Sequence, residues 1–292
     1  MYKILFLTDF SAASRHALAY TQALFADTAT DFCLLNAFQL QPELSYGGAI
    51  LMAEERETAE QTLHNFKLLM TQQPVPAYHT YRTLAVLGGP EAAVQELLTQ
   101  EPFDLVVVGA TGSGFSEVFG TVATGLIRSA KANVLVVPVS AAIRPLEKLV
   151  LATDFRAIND TKCFTLLTDL ASRKSAQLTL LTIENPKQVN SRPSALSVEY
   201  VEQVFDTIQT DTYTIHDENV LNGINTYLDL HIVDMLVLLP HHKSFFDVLR
   251  NKSVTRAVAY HPRVPLLSLY DAEKESPVKQ TAAQTVDVIP FI

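Results

Sequence analysis

The sequence repeats itself at an interval of 130 to 145 residues, and this repeat constrains the fold more than any other feature. Residues 1–10 read MYKILFLTDF, and residues 146–155 read LEKLVLATDF. Three further pairs of apolar runs correspond in the same order: 31–38 with 176–183, 103–108 with 233–238, and 133–139 with 263–269. We therefore predict two copies of one domain, at residues 1–141 and 146–270, followed by a C-terminal tail at 271–292.

Within each copy, short apolar runs alternate with stretches that have the period of a helix. In the first copy one helix face carries Ala13, Ala17, Tyr20 and Leu24, which follow the spacing of successive helical turns. The runs between the helices are mostly apolar rather than strictly alternating, as is typical of parallel strands covered on both faces. The pattern predicts an α/β protein with a doubly wound, five-stranded parallel sheet in each copy. Ligands of such sheets bind beyond the carboxyl ends of the strands, where the strand order reverses.

Composition and charge exclude several classes of protein. Apolar residues make up 48% of the 292 residues and charged residues 18%, which argues against a disordered or fibrous chain. The net charge of −9 argues against a nucleic-acid partner. The cysteines, Cys33 and Cys163, are too far apart for a Cys-x-x-Cys metal motif, so we predict no metal site. The apolar runs are far shorter than the ~20 residues of a membrane span, and no secretory signal is evident, so we expect a soluble, cytoplasmic protein without membrane contact.

Two segments of the first copy fall where a ligand is expected. After the first strand comes Thr-Asp-Phe-Ser, and Asp9 stands at the mouth of the predicted site, where its carboxylate can accept hydrogen bonds from a ribose or an amine. After the fourth strand comes Gly109-Ala-Thr-Gly112, and later Gly120-Thr121 opens a helix. Such glycines let the backbone approach an anion, and phosphate is the ligand that we expect. The plainer interpretations are a helix cap at Ser11 and an ordinary glycine-rich turn.

These segments resemble the universal stress protein family, and the repeat resembles its tandem-domain members. The resemblance implies flavodoxin-like (adenine nucleotide α-hydrolase-like) domains that bind ATP or another adenine nucleotide, with or without Mg²⁺. Carried over by position, it implies a nucleotide site formed by Asp9, Ala37, Gly109, Gly112, Gly120 and Thr121. Seven residues separate Gly112 from Gly120 here, whereas the family motif has nine. The shortened loop puts the binding of a full triphosphate in question.

The second copy departs further from the family motif. Asp154 is retained, but Leu-Pro-His-His stands where Gly-x-x-Gly is expected, and Lys252-Ser253 stands where Gly-Ser is expected. Side chains at these positions should obstruct a closely wrapped triphosphate, so we predict a copy that is degenerate for ATP. A site for another small ligand, formed by Asp154, His242, Lys252 and Ser253, is the alternative to a solvated loop.

The resemblance implies a stress-response protein that binds ATP, ADP or AMP in the first copy and acts by regulation. We predict no catalytic residues and at most weak ATP hydrolysis, because the motif segments contain no activated nucleophile or base. The alternative is a scaffold or small-ligand-binding stress protein that acts through protein partners, whose identity is open. We also expect an intramolecular pseudo-dimer through Val134–Val139 and Val264–Leu269; association of two chains into a homodimer is left open.

Overall fold

The computed structural model describes residues 1–39, 48–72, 74–110, 121–153, 160–187, 201, 203–239 and 264–271, without the side chains of 48–51 and 121. The first half alternates strands and helices in the predicted order. Its elements are β1 Tyr2–Leu7, α1 Ala12–Leu24, β2 Thr30–Phe38, α2 Gly48–Thr71, β3 His79–Leu87, α3 Pro90–Gln100, β4 Leu105–Ala110, α4 Thr121–Ser129 and β5 Val134–Pro138.

The second half repeats this alternation with shorter elements. It contains β6 Lys148–Ala152, a 3-10 turn Thr161–Phe164 that runs into α5 Thr165–Lys174, β7 Gln177–Glu184, β8 Thr210–His216, α6 Val220–Leu230, β9 Met235–Leu238 and β10 Leu266–Ser268. The tail beyond residue 271 lies outside the described residues, so the proposed division into domains and tail remains a prediction.

The ten strands of the described residues form one continuous sheet. Its order is β3-β2-β1-β4-β5-β10-β9-β6-β7-β8, so the second half mirrors the strand order of the first. Pairing is parallel within each half, and the one junction between the halves is antiparallel, with Leu266 opposite Val136 and Ser268 opposite Val134. The predicted α/β fold is confirmed, and the strands expected to join the halves do so.

The repeat is visible in individual hydrogen bonds as well as in topology. Asp104, just before β4, accepts a hydrogen bond from the backbone N–H of Lys3 at 2.8 Å and donates its own N–H to the Lys3 carbonyl. Asp234, just before β9, makes the same two contacts with Lys148, at 2.8 and 2.9 Å. Each aspartate therefore fixes the register between the two central strands of its own half.

The helices cover both faces of the sheet. One buried cluster lies beneath α1, α2 and α5 and includes Phe6, Leu18 and Phe164, while a second lies beneath α3, α4 and α6 and includes Leu5, Val94 and Ile224. Successive strand residues alternate between these clusters, as expected for a sheet buried on both faces. Both clusters contain residues of both halves, so burial of apolar surface holds the halves together.

The connection between the halves packs closely on α1. His16 Nε2 lies 2.8 Å from the carbonyl oxygen of Ala141 and donates to it. Ala141 and Leu146 are each 4% exposed and share a cluster with Tyr20 and Leu24 of α1. Residues 139–147, here named the linker, therefore pack against α1, and a cavity of about 410 Å³ lies between the helix and residues 143–146.

A cationic side chain of α5 also joins the halves. The Arg173 guanidinium pairs with Asp169 on its own helix and with Asp27 at the end of α1. It also lies 5.6 Å from the ring centroids of both Tyr2 and Phe25. Tyr2 in turn donates to Asp169 at 2.5 Å. Because only 20% of the Arg173 side chain is exposed, removing it would leave the partly desolvated Asp169 carboxylate without its cation, whereas Asp27 would keep Lys174 at 3.0 Å.

Candidate functional site

The strand order of the first half reverses between β1 and β4, which are neighbours in the sheet. The chain leaves β1 toward β2 on one side and later returns to β4 on the other. Thr8 and Asp9 follow β1, and Gly109 and Ala110 end β4, so the two predicted segments meet at one edge of the sheet. This edge is where an open α/β sheet binds its ligands.

The turn between β1 and α1 has a strained backbone. Phe10 has a φ of 62°, in the left-handed region that side chains other than glycine disfavour. Three contacts hold it there: its N–H donates to Thr8 Oγ1 at 3.0 Å, its carbonyl accepts from Arg15 Nη1 at 2.6 Å, and its ring packs edge-on against Phe66 of α2. Strain of this kind is typical of ligand-binding turns, where the fold imposes it.

Asp9 is exposed at the mouth of this turn. Its Oδ1 accepts a hydrogen bond from the Ser11 N–H at 3.0 Å. Partial burial by itself would raise the pKa of this carboxyl group, but hydrogen bonds from Ser11 and Ser14 together outweigh it and lower the pKa. The carboxylate is therefore ionised and held in place, with one oxygen, Oδ2, engaged in no described hydrogen bond of the structure.

Buried polar side chains beneath the turn fix its shape. Thr8 Oγ1 donates to Ser14 Oγ at 3.1 Å, and Asn36 Nδ2 donates to the Thr8 carbonyl at 2.8 Å. Ser11 caps α1, because its side chain accepts from the Ser14 N–H at 3.2 Å. The interpretation of Ser11 as a helix cap is thus confirmed. The Thr8–Ser14–Asn36 network was not predicted, since only the folded sheet brings the end of β2 beneath this turn.

Ala37 lies next to Asn36 near the end of β2, one strand away from Asp9. Its neighbour in the sheet is Val86 of β3. This places Ala37 at the same edge as the turn, as the resemblance implied. Its role as a lining residue of a ligand pocket remains a prediction.

Gly109 has a structural role that the sequence did not reveal. A Cβ atom at this position would lie 2.6 Å from the carbonyl oxygen of Ala13 and 2.9 Å from the Ser14 nitrogen. The missing side chain therefore lets the first turn of α1 rest directly on β4. This contact brings the Asp9 turn and the end of β4 together, whatever further role Gly109 has toward a ligand.

Several predicted site residues fall outside the described residues: Gly112 and Gly120 of the first half, and Asp154, His242, Lys252 and Ser253 of the second. Thr121 opens α4, as predicted, but its side chain is not described. Within the described ranges, no group of three or more His, Cys, Asp or Glu side chains is arranged to hold a metal ion. The same part of the chain contains no helix that is both long and apolar enough to cross a membrane.

Comparison with known proteins agrees with this architecture. The model of the universal stress protein family matches residues 1–138. A universal stress protein from Archaeoglobus fulgidus has a similar structure, with a TM-score of 0.69 at 13% identity over 92% of this chain and 98% of that one. A functionally unknown protein from Pseudomonas aeruginosa is also similar, with a TM-score of 0.52 at 13% identity over 92% of each chain.

No curated protein sequence matches the chain. The two structural likenesses extend over both halves and establish the fold. The family match itself covers the first half, in which the Asp9 turn and the β4 segment lie. Residues 1–138 of this chain are therefore similar in sequence to the universal stress protein family.

Proposed function

We propose that the first half binds an adenine nucleotide and that this binding serves regulation. The observation that carries the proposal is the Asp9 carboxylate, held ionised at the reversal point between β1 and β4 by the N–H of Ser11. It stands beside a strained turn, and this turn lies within the residues that the universal stress protein family model matches.

The turn supplies the features that a nucleoside needs. Ionised Asp9 is a strong acceptor for ribose hydroxyls, because hydrogen bonds to charged groups are about twice as strong as neutral ones. The thirteen-residue helix α1 begins close by, and its N-terminus favours negative charge. In this proposal Gly112, Gly120 and Thr121 hold the phosphates, and Mg²⁺ accompanies a di- or triphosphate.

The described hydroxyl groups favour binding over catalysis. Ser14 Oγ donates to the Ser11 carbonyl and Ser11 Oγ accepts from the Ser14 N–H, so both serve the helix end. The Asp9 carboxylate beside them has a lowered pKa, so it is too weak a base to make either hydroxyl a nucleophile. Dedicated catalysis is therefore not part of the proposal, and ATP hydrolysis is at most weak.

A second candidate function is a scaffold that binds no nucleotide. It is favoured by the loop between Gly112 and Gly120, which is two residues shorter than the family motif. In that case the first half keeps the fold of its family, and the protein acts through contacts with other proteins.

Calorimetric titration of ATP, ADP and AMP into nucleotide-stripped protein separates these functions. We expect one site per chain, and Asp9→Asn should weaken binding about tenfold or more, since it removes a charge-assisted hydrogen bond. The matched control Glu57→Gln removes an exposed carboxylate on α2 and should leave binding unchanged.

Each alternative result has a distinct meaning. Absence of binding with all three nucleotides would favour the scaffold. Two equivalent sites would show that the second half binds as well, and equal binding by Asp9→Asn and wild type would remove Asp9 from the site.

A further inference from the structure

We propose that the cavity of about 410 Å³ at the junction of the two halves binds a small amphipathic carboxylate, an anion that carries an apolar body. The cavity lies between α1, the linker and Lys174, the last residue of α5. It adjoins the C-terminal part of α1, whereas the Asp9 turn precedes the N-terminus of this helix. The proposal is therefore independent of nucleotide binding.

The walls of the cavity are mostly apolar. They are formed by residues of α1 and of the linker: Tyr20, Ala23, Leu24, Ile143, Pro145 and Leu146. Ile143 is 47% exposed, so a ligand can enter along the linker. The volume lies within the range of about 300–1,000 Å³ that small-molecule sites occupy. A ligand that matches these walls needs an apolar part.

The hydroxyl group of Tyr20 has no hydrogen-bond partner among the described residues, although Tyr20 is only 5% exposed and lines the cavity. Buried tyrosine hydroxyl groups normally have a partner, so this group points to a ligand. Burial, with added repulsion from Asp234, raises the pKa of Tyr20. The hydroxyl group therefore stays protonated and can donate a hydrogen bond to an anion.

The two charged residues that the structure describes on the lining are both cations, and the first of them is Arg144 of the linker. Its Nε donates to Asp234 Oδ1 at 2.7 Å. Asp234 also accepts from the backbone N–H groups of Glu147 and Lys148, at 3.0 and 2.8 Å. Arg144 Nη1 has no acceptor among the described residues, so it can donate to a ligand.

The second cation, Lys174, comes from the other half of the chain. Only 17% of its side chain is exposed, and its Nζ lies 3.0 Å from Asp27 Oδ1. Asp27 is shared with Arg173, so its charge is not reserved for Lys174. An ammonium group has three N–H donors, which leaves donors for a ligand. An anion bound here would contact residues of both halves.

Another cleft of the described structure shows that size alone does not select an anion. This cleft has a similar volume, about 380 Å³, but Asp104, Asp160 and Asp271 lie on its lining beside Lys131 and Lys162. An anion in that cleft would meet repulsion as well as attraction. No carboxylate is among the described residues that line the larger cavity, so charge complementarity favours an anion there.

An amphipathic anion satisfies both the walls and the polar groups of the cavity. A simple inorganic anion would leave the apolar walls in contact with water, and a hydrocarbon would leave the Tyr20 hydroxyl group unpaired. A carboxylate offers two acceptor oxygens to the donors of Tyr20, Arg144 and Lys174. Its apolar body would at the same time remove the walls from water.

An NMR titration of the full chain, labelled at its isoleucine methyl groups, tests the proposal with 4-phenylbutyrate as the probe. We expect one site with a dissociation constant of about 1 mM or lower, as a ligand of about twelve non-hydrogen atoms allows. The methyl signal of Ile143 should shift, and that of Ile224, buried on α6, should not. Neutral 4-phenylbutyramide should bind about tenfold more weakly, because it lacks the charge.

Two variants test the polar groups of the cavity. Tyr20→Phe removes a hydroxyl group without a described partner, so it should weaken binding of the probe about tenfold and leave the free energy of unfolding nearly unchanged. Lys174→Gln should weaken binding by a similar factor, and Asp27 keeps Arg173 in this variant. The matched control Tyr213→Phe changes an exposed tyrosine of β8 and should leave binding unchanged.

Four results would overturn the proposal: no saturable binding of the probe up to about 10 mM, equal affinity for the acid and the amide, full affinity in both Tyr20→Phe and Lys174→Gln, or binding that leaves the Ile143 signal in place. Asp9→Asn should leave the affinity for the probe unchanged, because Asp9 precedes the opposite end of α1. A loss of affinity in this variant would place the probe at the Asp9 turn and would also contradict the proposal.

Discussion

The ends of β4 and β9 occupy equivalent places in the two halves and differ in one residue that reorganises what surrounds it. In the first half this residue is Gly109, and the carbonyl of Ala13 occupies the space where a side chain would be. In the second half it is Leu239, which is 7% exposed and packs in the cluster beneath α5. The same position thus admits a helix end in one half and a leucine side chain in the other.

The first helix of each half, which follows β1 or β6, also starts differently. Helix α1 begins at Ala12, five residues after β1 ends, and is α-helical from its first residue. After β6 ends at Ala152, described helical structure begins as a 3-10 turn at Thr161, nine residues later. Among the described residues, a side chain at the strand end therefore accompanies a 3-10 turn ahead of α5, and the close approach that places Asp9 beside β4 is a feature of the first half.

The largest expected effect tests this close approach. Gly109→Ala places a Cβ against backbone atoms of α1, which cannot rotate away, so the free energy of unfolding should fall by about 2–3 kcal/mol. Gly125→Ala is the matched control: its Cβ meets only the carboxylate of Glu91, a side chain that can move, and alanine is the better helix former. Urea unfolding of both variants measures the difference. Equal stability would mean that α1 shifts freely and that the glycine does not set its position.

The next effect concerns what holds the halves together. Arg173→Ala leaves Asp169 without its cation, while Asp27 keeps only Lys174 at 3.0 Å, and we expect a loss of about 2 kcal/mol. Lys187→Ala breaks an exposed pair with Glu218 and should change stability by no more than about 0.5 kcal/mol. Chemical denaturation measures both variants, and comparable losses would show that Arg173 acts as an ordinary surface charge.

Helix capping should distinguish the halves by a smaller amount. Ser11→Ala removes the cap of a thirteen-residue helix and should lower the free energy of unfolding by about 1 kcal/mol. Asp160→Ala removes the equivalent cap from a four-residue 3-10 turn, where we expect about half that loss. Thermal and urea unfolding of the pair make the comparison. A larger loss at Asp160 would reverse our view of which helix start is the more tightly held.

The smallest effect is a dependence on pH. Because hydrogen bonds lower the folded-state pKa of Asp9, its ionised form adds stability above the ordinary pKa of an aspartate. That contribution is lost as the pH falls through the lowered value. Asp9→Asn should therefore flatten the decline in unfolding free energy below about pH 4. Unfolding measured over an acid pH series checks this prediction. It would be contradicted if the unfolding free energy fell equally with decreasing pH in variant and wild type.

Much of the fold could be predicted because the information is periodic. The repeated strand motif and the spacing of Ala13, Ala17, Tyr20 and Leu24 depend only on residue order, and all four residues are buried on α1 as predicted. The strands joining the halves were expected from the family resemblance, and the repeat located them as the last apolar run of each copy. Such features can be identified from the sequence without knowledge of any long-range contact.

The site was harder to predict because its geometry depends on contacts between distant segments. The sequence pointed to Asp9, but the left-handed backbone of Phe10 depends on Phe66, more than fifty residues away. Likewise, Gly109 suggests a ligand loop in sequence, whereas its contact with Ala13 is visible only once α1 lies on the sheet. Arg173 carries no motif, and its role arises from the approach of Asp27 across the halves.

The antiparallel pairing of β5 with β10 determines how association of the two halves depends on the concentration of the protein. Since both strands belong to one polypeptide, the pairing is a first-order event that dilution does not reverse, and synthesis level leaves the paired fraction unchanged. A pair of identical subunits related by a twofold axis must present each surface twice. A fused pair is released from that symmetry, so every molecule carries one half of each kind in a fixed one-to-one ratio.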